Sequence, residues 1–492
     1  VPLPDNGAPW PPPAFAAEYG DMRLDDAWYA GDRRRLAELY ARDPQRADGR
    51  RRLWGRRTPE PGRRDDRLHV PLPADIAHAS AALLFSEPPV FTVEDTATQA
   101  RLDELTEAGG VANTLLEAAE IAAALGGVFL RVTWDAQLAA RPLLTSVHPD
   151  CAVPEVRFGH LVAVTFWREL SSDSATVWRH LERHERGAIL HGLYQGDHDR
   201  LGVRVPLADH PAVAELADSL SDGDTITTGI DQLTAAYVPN IKPNRRRRGS
   251  PLGRSDFQGT HDLFDAIDTT WSSWLRDIRL ARARLIVPAG YLTTNGPGRG
   301  ATWDDDREVW QALNIPPTEA GGAGSITLSQ FGIRVEEHRA TAEAITRQAV
   351  ESAGYSAATF GLGSESGPAV TATEVTARER RSMITRDVKA RYWSPALADM
   401  LQAVLRLDRV LGFSRVAEER PRIQFGDAVS EDPRATAETL SLLAQAQAAS
   451  IETRVRILHP EWDDPAVAEE VERIQVETGA RVPDPMQAGA LP

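Results

Sequence analysis

The chain has one cysteine, Cys151, among 492 residues. An internal disulfide is excluded, and so is structural zinc built on cysteine clusters. Long apolar runs are also missing. The longest, from Ile121 to Leu130, is broken by Gly126 and Gly127 and falls short of the roughly 20 residues that span a bilayer. No membrane partner is expected. The first residues, VPLPDNGAPWPPPAF, have neither a basic start nor an apolar core, so they do not read as a secretory signal. They read as an extended proline-rich arm. Lysine is scarce. There is no GxxxxGK[ST] phosphate loop and no GxSxG elbow. The frame opened by Gly361 and Gly363 has Ser366 where a dinucleotide loop needs its third glycine, and no apolar strand leads directly into it. No catalytic group, cofactor or metal site is expected.

What is present suits a folded protein: 42% hydrophobic and 26% charged residues, in a length that allows two to four domains. The net charge is −16, whereas a chain built to grip nucleic acid is more often basic. Arginine is nonetheless concentrated over residues 31–67 and in the run Arg245, Arg246, Arg247, Arg248. Such runs serve either as solvated surface or as contacts for an acidic partner.

The pattern along the chain is α+β. Helical signals dominate to residue 125, with Ile76, Leu83 and Leu84 on one face before a Pro88-Pro89 stop, and Leu102 to Ile121 read as continuing helix. Gly126-Gly127 ends that helix. A meander of antiparallel strands follows, through VFLRVTWD, HLVAVTFWREL, ATVWRHLERHE and GAILHGLYQG. Leu263, Ile267, Trp271, Trp274 and Ile278 then form one stripe of an amphipathic helix. LIVPAGYL and GSITLSQFGIRVEE read as strands around a glycine-rich stretch, and a small-residue helix ends at Gly354 as its C-cap. After a soft segment, one helix of about 40 residues runs on, roughly 60 Å at 1.5 Å per residue. Pro395 lies inside it and should bend it near Arg391 to Ser394. A short strand, RIQF, and two or three short helices over 432–478 close the pattern.

Two clusters invite chemistry. His180, His184 and His191 are close in sequence, but in a strand residues four apart lie about 13 Å from one another, so they read as polar positions on a hairpin. Asp304 to Asp306 could hold a cation, or could simply open a turn or helix. On that acidic run a nucleic-acid-processing enzyme is one alternative function. A protein adaptor that forms no ring is another.

The order of elements adds a resemblance. The stretch from YVPN through SPLGRSDFQGTHDLFDAIDTTWSSWLRDIRLARARLIVP resembles the segment entering the stem of portal proteins from tailed bacteriophages with long, non-contractile tails. GYSAATFG…TATEV and the helix after it look like the tunnel loop and spine helix of that family. LHVPLPADIAHASAALLFSEPP and AALGGVFLRVTWD are similar to its wing, and RIQFGDAVSEDP to its C-terminal part. The resemblance implies an arm over 1–64, a wing over 65–258, a stem helix over 260–282, a clip over 283–338, a second stem helix over 339–354, a tunnel loop over 355–369, a spine helix and return over 370–431, a crown over 432–478 and a flexible tail over 479–492. It implies a structural protein, not an enzyme, assembled in the host cytoplasm and built into the virion. Copies would form a ring, a dodecamer, at one capsid vertex. Double-stranded DNA would pass through it. Terminase, head–tail adaptors, and major capsid and scaffolding proteins would dock on it. Gly361, Gly363, Ser364, Glu365, Ser366 and Gly367 would face the DNA, and Arg245, Arg246, Arg247 and Arg248 would serve as DNA or capsid contacts, or else as solvated surface. Glycine lets such a loop move, and Glu365 would repel phosphates.

Overall fold

Pro11, Pro12 and Pro13 lead straight into a helix. The structure, a computed structural model, describes residues 3–42, 68–135, 138–220, 224–281, 284–286, 293–294, 301–302, 327–329, 332–362, 372–426, 433–446, 448–459, 462 and 464–478. Helix α1 (Ala16–Tyr29) buries Tyr19, Met22, Ala27 and Trp28 in the main core. α2 (Arg33–Arg42) starts at Asp32, whose side chain accepts from the backbone of Arg34 and Arg35. Residues before α1 are docked too. Gly7 N donates to Gly202 O at 2.6 Å, Trp10 N to Asp199 O at 2.8 Å, and Leu201 N to Ala8 O at 3.0 Å. Leu3 and Trp10 bury against Leu181, Tyr194 and Leu201. The expected extended arm is therefore corrected over its described part. Its proline content reports a local preference and not the tertiary pairing that holds it.

Helices α3 (Leu72–Phe85), α4 (Thr96–Ala108) and α5 (Val111–Leu125) follow. The helix expected to continue through 101–125 is two helices, because Gly109 and Gly110 interrupt it and Gly110 takes φ +62°. The last turns of α5 bury Ala118, Ala119 and Ala122 to Ala124, small residues that let it lie close to Ile76, Ala77, Ser80 and Ala81 of α3. Gly126 then turns the chain at φ +90°, and a Cβ there would sit 2.9 Å from the backbone of Arg254.

Every strand pairing in the described residues is antiparallel. After the short β1 (Val90–Thr92) come β2 (Gly127–Thr133), β3 (Leu143–Val147), β4 (Ala152–Arg157), β5 (His160–Ser172), β6 (Val177–Glu185), β7 (Ala188–Gly196), β8 (Val203–Val205), β9 (Thr225–Thr227) and β10 (Ala235–Pro239). They form a three-stranded sheet, β10-β2-β3, and a larger one, β4-β5-β6-β7-β8, with β9 beside β7. α6 (Pro211–Ser219) lies between β8 and β9 in sequence. The two sheets meet where Phe129 packs edge-on to Phe166, ring centres 5.7 Å apart.

Helix α7 (His261–Leu280) leads to short strands β11 (Arg284–Ile286), β12 (Thr293–Thr294), β13 (Ala301–Thr302) and β14 (Thr327–Ser329), with β11 paired to β14 and β12 to β13. Helix α8 (Val335–Ala353) comes next. It begins inside the stretch expected to be strand, because Glu336 and Glu337 in its first turn favour a helix start. α9 (Ala372–Val410) continues on both sides of Pro395 and sends Trp393, Leu397, Met400, Val404 and Leu407 into the main core. β15 (Arg422–Gln424) pairs with β1. α10 (Pro433–Gln445), α11 (Ile451–Leu458) and α12 (Asp464–Glu477) end the described chain. The fold is α+β, as expected.

Candidate functional site

The stripe on α7 is buried unevenly. Phe264 and Ile267 are inside the core, Trp271 and Trp274 are half-buried, and Ile278 is 44% exposed. α8 runs back alongside α7. At the far end of the pair, Asp277 accepts from Arg334 Nη2 at 2.8 Å, and His338 Nε2 lies 2.9 Å from the same oxygen. The His338 ring stacks on Trp274 at 5.9 Å, and Trp274 on Trp271 at 5.1 Å. Hydrogen bonds from His338 and Arg334 hold the Asp277 carboxyl below its usual range. Nearer the body, Asp268 is fully buried and takes three partners: Arg33 Nη1 at 2.5 Å, Val70 N at 2.8 Å and His69 Nδ1 at 3.0 Å. His261, at the start of α7, meets Asp25 at 2.6 Å, and burial still pushes the Asp25 carboxyl above its usual range.

At the near end, α8 stops on Gly354 at φ +102°, and the chain turns back toward α9. Thr385 Oγ1 donates to Gly354 O at 2.5 Å, Ser356 N donates to Ser382 Oγ at 2.8 Å, and Thr359 Oγ1 lies 2.8 Å from the same hydroxyl. Residues Ala357–Phe360 make one 3₁₀ turn, which Gly361 ends at φ +70°. Arg347 of α8 donates to Leu362 O at 3.0 Å. The soft segment expected over 355–369 is thus stapled to two helices as far as Leu362.

Beneath these staples lies a buried charge network. Lys389 Nζ donates to Asp256 Oδ2 at 2.6 Å, Ser80 Oγ at 2.6 Å and Tyr355 Oη at 2.8 Å. Tyr355 donates to the same Asp256 oxygen at 2.7 Å, and Asn240 Nδ2 supplies the other at 2.8 Å. The Lys389 and Asp256 side chains are 2% and 0% exposed. All three ammonium donors are used, so the network is closed. Burial pulls Lys389 below the usual lysine range, against the pull of Asp256, and pushes Tyr355 up. It joins five places: α3, the residue after β10, the turn before α7, the chain just past the end of α8, and α9. The orientation of the helix pair and the root of the segment after it are therefore set at one point.

Comparison with known proteins settles the class. The family model described as "Phage portal protein, SPP1 Gp6-like" matches residues 13–484. The chain belongs to this family of phage portal proteins. Its members are structural proteins. Two solved structures are similar at low identity. One, the neck of an empty GTA particle computed with C6 symmetry, shares 13% identity over 79% of this chain and 90% of that chain, with a TM-score of 0.43. The other, the neck of a native GTA particle computed with C12 symmetry, shares 12% over 79% and 89%, with a TM-score of 0.41. No curated protein gives a significant match.

Within this portal chain, Gly361 closes the 3₁₀ turn, and Gly363, Ser364, Glu365, Ser366 and Gly367 lie outside the described residues. Asp304 to Asp306 also lie outside them. Among the described residues no group of three or more His, Cys, Asp or Glu could hold a metal ion. Arg246 Nη1 and Arg247 Nε bond the two oxygens of Asp21 on α1, at 2.9 and 3.1 Å, while Arg245 and Arg248 stay exposed. Two of the four arginines are therefore committed to the chain's own first helix. Sequence reading missed Lys389, Asp256, Tyr355 and Ser382. The available signal was Lys389 itself, one of two lysines in an arginine-rich chain. Ser382→Ala is expected to cost about 1–2 kcal/mol by orphaning Ser356 N–H. Hydrogen exchange should accelerate over 354–362 and not over α5.

The histidines fall on the expected hairpin as polar positions, and all three are buried there. Residues of the smaller sheet and its approach reach that face of β6: Arg131 Nη1 donates to Glu182 at 2.7 Å, and Thr234, just before β10, meets His184 at 2.6 Å. His180 and His191 stack, Nε2 to Nδ1 at 3.2 Å, and His184 bridges Glu182 and Thr234. Burial, then the His191 charge, lowers the His180 pKa to about 4, while Glu182 opposes the shift. Arg131 and Arg168 add to the lowering. The unfolded chain binds this proton more readily between about pH 6.5 and 4, so stability should fall as pH drops through that window. His180→Leu should flatten this part of a pH–stability curve.

Proposed function

We propose that copies of this chain close into a dodecameric ring at one capsid vertex and form the conduit for double-stranded DNA. The observation that carries the reading is the α7–α8 pair. Its apolar stripe runs out of the core into solvent at Ile278 and Val335, so the subunit offers a side surface that a neighbour would cover. Family membership supports it. In this reading the helix pair is the stem and residues 283–338 carry the clip, which docks terminase and then head–tail adaptors. α9, bent at Pro395, is the spine, and 432–478 is the crown. Capsid and scaffolding proteins meet the wing, 65–258. Residues 363–367 follow the last described staple and face the DNA, with Glu365 repelling phosphates. Arg245 and Arg248 remain for DNA or capsid contact. The ring is a virion component assembled in the host cytoplasm and catalyses nothing itself. Native mass spectrometry of the purified chain tests this directly. A twelve-fold species supports the ring, and a monomer at every concentration overturns it.

A further inference from the structure

We propose that the groove between the β4–β5 hairpin, β10 and α9 docks an acidic peptide segment of a partner protein. The inference goes beyond the ring reading, because one subunit holds the whole groove. Its volume is about 650 Å³, inside the roughly 300–1,000 Å³ of ligand-sized clefts. Leu161 of β5, Leu233 before β10, and Pro395, Ala396 and Met400 of α9 give it an apolar side. Arg186, Lys242 and Arg391 line it too, from the β6–β7 turn, the chain after β10, and α9. All three are exposed, and none makes an ion pair among the described residues. His160, also exposed, stands at the same edge. The acids of the lining are Asp231 and Asp399. Asp399 already bonds Arg420 at 2.7 Å. Three cations therefore face one free carboxylate.

That imbalance runs against the composition, which has 71 Asp and Glu for 55 Lys and Arg. The chain's two lysines show the contrast. Lys389 spends its charge on the buried Asp256. Lys242 holds its ammonium 6.0 Å from the centre of the Tyr237 ring, with no carboxylate beside it. Desolvation lowers the Lys242 pKa, and no acid offsets the shift. An arriving carboxylate supplies the missing partner. Like charges along a cleft with apolar walls focus their field into it, and basic clusters read acidic motifs in this way. The apolar side selects the class of ligand. Leu233, Ala396 and Met400 offer a sugar–phosphate chain nothing to bury, whereas a peptide can set an aliphatic side chain there between its carboxylates. The net charge of −16 further disfavours a duplex approaching the groove.

The probe is a fluorescein-labelled Glu-Asp-Leu-Glu-Asp peptide, titrated with the full chain and followed by anisotropy. It should bind, and the uncharged Gln-Asn-Leu-Gln-Asn should bind about tenfold more weakly. Lys242→Glu and Arg391→Glu should each weaken the acidic peptide by about tenfold. Both side chains are exposed, so the melting temperature should not move. A carbodiimide, which joins a carboxylate to an amine as an amide, should couple the peptide to Lys242, since the other lysine is buried. Lys242→Arg should keep the binding and lose that product. No binding, or equal binding by wild type and both Glu variants, overturns the site. A short DNA duplex that binds more tightly than the peptide, and is lost in the same variants, assigns the groove to nucleic acid and also overturns it. Each of these results leaves the ring untouched, because native mass spectrometry reports on the ring separately.

Discussion

Asp256→Ala should destabilise the chain by roughly 3–5 kcal/mol, the range for breaking a buried ion pair by removing one partner. The alanine leaves Lys389 as an uncompensated charge with no solvent access, and strips Tyr355 and Asn240 of their acceptor. Lys389→Met removes the charge instead, and fits the space with a flexible apolar chain. It should cost less than Asp256→Ala, since Tyr355 and Asn240 still satisfy the carboxylate. The double variant Lys389→Met/Asp256→Ala should lose less than the sum of the two, because each single change exposes the other's partner. Denaturation midpoints of the four proteins close the cycle. A sum that is strictly additive would mean that the pair does not act as a unit. The functional consequence follows from its position. The network fixes Tyr355, so loosening it should speed hydrogen exchange over 354–362 before the sheets are affected.

Asp268→Ala is the second large effect, about 2–4 kcal/mol. Asp268 holds Arg33, His69 and Val70 N–H against the middle of α7. Arg33 is partly exposed and can rehydrate, which sets the cost below that of Asp256. His69 and Val70 N–H have less recourse. Asp268→Asn retains size and one acceptor and should recover about half of the loss. Hydrogen exchange over 68–76 reports the release of this strap from α7. Protection there equal to wild type in Asp268→Ala would contradict the role.

The fold's legibility follows the range of the forces that make it. β2 and β5 to β7 were readable as runs rich in β-branched and aromatic residues bounded by turn residues, although burial on both faces leaves them little alternation. α7 was readable from its 3.6-residue stripe, and Gly354 from its place after a small-residue helix. Each of these signals lies within one segment. The break at Gly109-Gly110 was misread because alanines and leucines on either side outvote two glycines in a propensity sum. The docked N-terminus and the Lys389 network were illegible for a different reason. Lys389 meets partners 34, 133 and 309 residues away in sequence. No local pattern encodes such distances. The soft segment between α8 and α9 was half-legible. Its glycines and serines mark a turn, but Ser356 is also a staple: its side chain caps the 3₁₀ turn, and Ser382, from the helix beyond, receives its backbone.

A reconstruction of the purified assembly by electron cryomicroscopy, without imposed symmetry, measures how far each part of the chain lies from the ring axis. Residues 361–367 of every copy should lie at the narrowest point, with α7 and α8 standing around the channel. Residues 361–367 on the outer rim, or particles with no central opening, would contradict it.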